Sequence, residues 1–157
     1  MTTSAASDNT ITTIAFAESI PWVELHEGIE MKMLRRGEGT GIYTVMNRFS
    51  PGIELPKHRH VGAVHGYTLQ GRWGYREYDW VADRGGYVFE PSDSIHTLYV
   101  PDDATEQAVV VFVIEQALIL LDENDEEFMT QDAETIDEMY RGCLAARGID
   151  YPDGILP

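Results

Sequence analysis

The chain has a single cysteine, Cys143, so no disulfide can form within it and no cysteine-built metal site is available. Basic residues are scarce as well. Eleven Lys and Arg stand against 27 Asp and Glu, a formal net charge of −16. Such a chain repels phosphate backbones and anionic bilayers, which sets aside nucleic acid and membrane as partners. Long hydrophobic runs are also missing. The longest, Ala108 to Leu121, is broken by Glu115 and Gln116 and falls short of the ~18 apolar residues of a membrane-spanning helix. The N-terminus lacks the basic and then apolar segments of a secretory signal. With one cysteine, the expected setting is reducing and cytoplasmic.

What is present reads as one domain. The 157 residues are 43% hydrophobic, enough for a core without staples. Residues 1–10, polar and rich in Ser and Thr, are expected to form a loose arm; residues 11–157 are expected to form the domain. Up to Leu121 the chain alternates short β-branched or aromatic segments with turn residues. Ile42 to Phe49, His65 to Gln70, Arg72 to Trp80, Tyr87 to Glu90, Thr97 to Val100 and Ala108 to Ile114 are predicted strands. The last is continuously apolar, as for a strand covered on both faces. Short, regularly spaced strands predict an all-β sandwich or barrel. The acidic run Asp122 to Glu127 follows. Residues 132–147 then place Ile136, Met139, Tyr140, Cys143 and Leu144 on one helical stripe, which must pack on the barrel or on a second subunit.

The chemistry sits in the histidines. His58 and His60 flank Arg59, and on a strand residues i and i+2 share a face, so both imidazoles can reach one point. That pair alone is a weak signal, equally met on a surface loop. Its surroundings strengthen it. Five residues separate Gly52 from His58, and Gly71 follows. With thirteen residues between, Gly85 opens a second pattern that runs through Pro91 to His96. These two stretches resemble the paired motifs of the cupin superfamily. The resemblance implies an all-β double-stranded β-helix, a jelly-roll barrel, with the C-terminal α-helix appended and with His58, His60 and His96 as metal ligands.

The departures from the pattern carry information. Val64 and His65 stand where cupins usually place a metal-binding Glu, and Asp93 replaces the Gly of the second motif. The expected centre is therefore a three-histidine site without a carboxylate ligand. His65 either supplies a fourth ligand or is turned away by strand parity, the latter being the expectation. His26 has no motif around it.

The text His58 to Trp73, then Tyr78-Asp79-Trp80, Phe89-Glu90-Pro91 and His96-Thr97-Leu98, resembles the 2,4'-dihydroxyacetophenone dioxygenase family and, more distantly, acetylacetone (β-diketone) dioxygenase. The resemblance implies a non-haem Fe(II) enzyme, with zinc, manganese or nickel as alternative metals. It would split a carbon–carbon bond beside a carbonyl of a small ketone using O2. It also implies functional roles for Glu90 and Arg76, and the neighbourhood adds His65 and Tyr67 as candidates. Glu90 either faces the cavity or ends its strand in solvent. Gly66 stands where the diketone family has a tyrosine, with Tyr67 beside it. Of the aromatic residues Tyr67, Trp73, Tyr75, Tyr78 and Trp80, most are expected in the core or at subunit contacts and one or two in a substrate pocket. Related cupins imply a homodimer or homotetramer. Two other readings stand beside the enzyme: a zinc-binding sensor module of the ChrR type, against which the lack of a helical binding segment counts, and a metal-dependent isomerase or hydrolase.

Overall fold

A computed structural model describes residues 11–157; the expected N-terminal arm falls outside them. The largest sheet holds β1 (Val23–His26), β2 (Ile29–Arg35), β3 (Ile42–Phe49), β5 (Val64–Gln70), β8 (Tyr87–Glu90) and β11 (Ala108–Glu115), in the order β1-β2-β3-β11-β5-β8. A second sheet holds β4 (His58–His60), β9 (Ile95–His96), β12 (Leu118–Leu121) and β13 (Glu127–Gln131), in the order β13-β12-β4-β9. Three short strands complete the barrel: β6 (Trp73–Tyr75), β7 (Val81–Ala82) and β10 (Leu98–Tyr99), with β6 in the middle. The pairing within each sheet is antiparallel. The all-β barrel expected of a cupin is what the chain forms.

Alternation of side chains builds the interior. On β3, Tyr43, Val45 and Phe49 are buried; on its neighbour β11, Ala108, Val110 and Phe112 are buried. The register sets Val45 opposite Phe112 and Phe49 opposite Ala108, so the two strands present one apolar face. Trp73, fully buried, closes on Phe112 with ring centroids 5.6 Å apart. Its indole N–H donates to the Thr68 hydroxyl at 2.8 Å, so the one polar atom of a large buried ring is satisfied.

The structure corrects two details and adds a third. β11 is not covered on both faces: Val109, Val111 and Val113 are only half-buried, a period-2 pattern that its continuously apolar sequence hides. The predicted strand Arg72 to Trp80 breaks after Tyr75, where the Tyr78 amide donates to the Tyr75 carbonyl and turns the chain. The acidic run is the turn of a hairpin whose second strand, β13, is exposed along most of its length, so no apolar alternation announces it.

Helix α1 (Ala133–Ala146) follows. The Asp132 carboxylate accepts the Thr135 amide at 2.9 Å, and the Thr135 hydroxyl accepts the Asp132 amide at 2.8 Å. This reciprocal cap satisfies donors the helix start would leave free. Ile136, Tyr140 and Leu144 are buried, and the Tyr140 hydroxyl donates to the Pro21 carbonyl at 2.7 Å. The stripe packs on the chain's own barrel.

Gly71 turns β5 into β6 with φ +74°, and a Cβ there would meet the Gln107 carbonyl oxygen at 2.5 Å. Both the left-handed backbone and the close approach demand glycine. Gly71→Ala is expected to lower unfolding free energy by at least about 2 kcal/mol in denaturant titration; a change below about 0.5 kcal/mol would contradict this role.

Candidate metal centre

Pairing of β4 with β9 sets His58 directly opposite His96, and His60 lies two residues along the same face of β4. The three imidazoles therefore converge. Their ligand atoms lie within 4.8 Å of one another, with exposures of 6%, 4% and 1%. The turn after β8 locks this arrangement. The Asp93 amide donates to the His60 carbonyl at 2.7 Å, and the His60 amide to the Ser94 carbonyl at 3.1 Å. Asp93 adopts φ +66°, the left-handed conformation that the second-motif Gly would supply and that Asp tolerates better than most residues.

Burial fixes the protonation of the cluster. It holds His58 below the ordinary imidazole range. Burial, reinforced by neighbouring imidazoles, brings His60 down to about 2 and His96 down to about 3. All three rings are thus neutral at physiological pH, the form that binds metal. His58 Nδ1 lies 3.1 Å from the Pro56 carbonyl oxygen. A carbonyl only accepts, so Nδ1 carries the proton and Nε2 keeps its lone pair for a metal. His60 Nδ1 and His96 Nε2 are buried without a hydrogen-bond partner. Neutral, convergent, unsatisfied imidazoles are a donor set that fits a divalent transition metal.

Glu90 ends β8 inside the barrel, 3% exposed, which decides between its two sequence readings. One oxygen lies 3.2 Å from His60 Nε2 and the other 3.7 Å from His96 Nε2. Burial pushes its carboxyl up to about 8. Burial favours the uncharged form of both Glu90 and the histidines, so these are contacts between neutral groups rather than ion pairs. The Tyr75 hydroxyl donates to Glu90 Oε1, while Oε2, the oxygen beside His60 Nε2, makes no hydrogen bond of good geometry. Tyr75 also stacks on His96, centroids 3.8 Å apart and planes at 15°. The sequence placed Tyr75 only within a run of aromatics. Its role depends on the register of β6 against β10 and on a contact across the barrel, which spacing does not reveal.

The other candidates lie elsewhere. His65 and Tyr67 alternate with the buried Val64, Gly66 and Thr68 on β5, so they face outward. His65 Nδ1 meets the Tyr87 hydroxyl at 2.5 Å, and Tyr67 is 49% exposed. Arg76 follows the end of β6, where it pairs with Glu54 at 2.8 Å and lies 3.9 Å over the Tyr99 ring. Strand parity and the turn after Tyr75 thus keep all three away from the triad, and the expectation that they act there is corrected.

A cavity of about 550 Å³ opens from His58, His60, Tyr75 and Glu90 through the barrel toward α1. The sequence profile of the ChrR Cupin-like domain matches residues 11–119, which contain the whole triad. The chain belongs to this family. No functionally curated protein matches the cupin in sequence. Among solved structures, an RmlC-like cupin protein from Ralstonia eutropha JMP134 is 25% identical over 95% of this chain and 98% of its own, with a TM-score of 0.86. An acetylacetone dioxygenase from Acinetobacter johnsonii is 16% identical over 91% of this chain and 93% of its own, with a TM-score of 0.67. Rhodobacter sphaeroides anti-sigma ChrR, in complex with SigE, gives 17% identity over 62% of this chain and half of that one, with a TM-score of 0.52. The last two likenesses are of fold.

The buried carboxyl leaves a thermodynamic signature. Folded Glu90 keeps its proton up to about pH 8, whereas the unfolded chain releases it near 4.5. Its burial therefore costs more stability as pH rises from 4.5 through 8. Glu90→Gln removes that cost and keeps an acceptor for Tyr75. The metal-free variant is expected to exceed wild type in denaturant midpoint at pH 8, with most of the gain gone at pH 5. The histidines, whose lowered values weaken both proteins below about pH 6.5, cancel in the comparison. Equal gains at both pH values would contradict the assignment.

Proposed function

We propose that the cupin is a metal-dependent dioxygenase that cleaves a carbon–carbon bond beside a carbonyl, with Fe(II) held by His58, His60 and His96. The observation that carries this reading is the donor set itself: three neutral imidazoles with no carboxylate ligand from the first motif, facing a cavity. Such a set leaves a dication its full charge and open positions, which suits a ketone held through two oxygens as its enolate. When bound, the ion would supply Lewis-acid polarisation of the substrate oxygens and a place for O2.

The chain's own residues do the rest. Beside a dication the Glu90 carboxyl ionises, and its Oε2 accepts the proton that a ketone loses on enolisation. The Tyr75 hydroxyl anchors Oε1, which fixes the carboxyl group beside the triad in the cavity wall, and the stacked Tyr75 ring holds His96 in place. The apolar walls keep water from the reacting atoms. An aryl hydroxyketone such as 2,4'-dihydroxyacetophenone fits this chemistry, with O2 inserted to give an aryl carboxylate and formate; a β-diketone is the alternative. The match to the ChrR domain supports a second reading, a zinc-binding regulatory module using the same triad.

Anaerobic reconstitution with Fe(II), followed by O2-uptake measurements with 2,4'-dihydroxyacetophenone and with acetylacetone, separates the two. Uptake with one of them, lost together with bound iron in His96→Ala, is the expected result. Zinc in the purified protein and no uptake with either ketone would overturn the dioxygenase in favour of the regulatory module.

A further inference from the structure

The walls of the cavity say more than its metal end. Beyond the triad, Val45, Phe49, Phe112, Leu118 and Leu120 line it, and Ile136 of α1 closes it. No Lys or Arg is among the lining residues, and the titratable groups at its edge, His26, Glu27 and Glu54, are exposed. A tail ending in a carboxylate or phosphate would meet no fixed cation inside the barrel, and a charged tail would lose its hydration without replacement. At the ~30 Å³ that one water takes in the liquid, 550 Å³ holds roughly 18 non-hydrogen atoms, against seven in acetylacetone.

The far wall lies beyond the segment that the family model matches. The family match ends at residue 119, while Leu120, Gln131, Ile136 and Met139, which close the cavity, lie after it. The capped start of α1 and the Tyr140 anchor to Pro21 fix this wall against the barrel. Met139, 38% exposed, marks where it meets solvent.

We infer that the cupin binds an uncharged substrate with a long apolar tail, such as an alkyl or arylalkyl ketone, with its two-oxygen head at the triad and its tail running to α1. This rests on the proposed reading of the triad as a centre for an enolised ketone. The tail adds about ten carbons to the head, on the volume above. Burying each methylene tightens binding about threefold to fourfold.

Anaerobic calorimetric titration of the Zn(II)-loaded protein with a homologous series of 2,4-alkanediones measures binding without turnover. Affinity is expected to rise about threefold per added methylene over at least four steps, to fall at least tenfold when the tail ends in a carboxylate, and to lose its dependence on length in Met139→Trp or Ile136→Trp. Wild-type affinity that does not change with chain length, or that improves with the carboxylate, would overturn the inference. O2 uptake by the Fe(II)-loaded protein is recorded separately with the same compounds. Rising affinity without uptake supports the tail pocket and removes the dioxygenase reading; uptake with flat affinity does the reverse.

Discussion

Three imidazoles and a carboxyl group lie together inside an apolar barrel, and their burial is the constraint to which the rest of the structure answers. Each unsatisfied polar atom there costs of the order of 1–3 kcal/mol. Proteins keep such clusters where a ligand or a function requires them. The short pairing of β4 with β9 holds His58 against His96, the Asp93 turn holds His60, and Tyr75 fastens both His96 and Glu90. A divalent ion turns this cost into binding energy, because neutral imidazoles need give up no proton to take it.

The position of its carboxyl group separates this centre from a common cupin site. Val64, where a ligand carboxylate would stand, is buried and apolar. Its β-sheet partner is Glu90. The acidic group thus stands across one strand pair from that position, at the side of the cavity. There it touches His60 and His96 and keeps one oxygen without a hydrogen bond of good geometry. In the proposed reading, a carboxyl group so placed takes a proton from a substrate in the cavity.

Legibility in the sequence followed the range of the interaction. The H-x-H pair and His96 could be read because two residues apart on a strand means one face, and because glycine and proline spaced the two motifs. β3 and β8 were read to their ends, since their alternation and flanking turns are local. Glu90 was left open between cavity and solvent, because only the pairing of β8 with β5 buries it. Tyr75 was hidden because its partners lie 15 and 21 residues away on other strands. Arg76 was misplaced because the strand ends one residue before it. His65 followed strand parity away from the site, and Tyr67 follows the same parity. β13 escaped notice because exposed strands carry no hydrophobic signal.

X-ray absorption at the iron edge of the anaerobically loaded protein addresses the centre most directly. The account predicts one iron per chain with three imidazole nitrogens in its coordination shell and a remainder of exchangeable oxygen. Iron coordinated mainly by carboxylate oxygens, as on the acidic surface around Asp122 to Glu127, or fewer than three imidazoles at the metal, would contradict it.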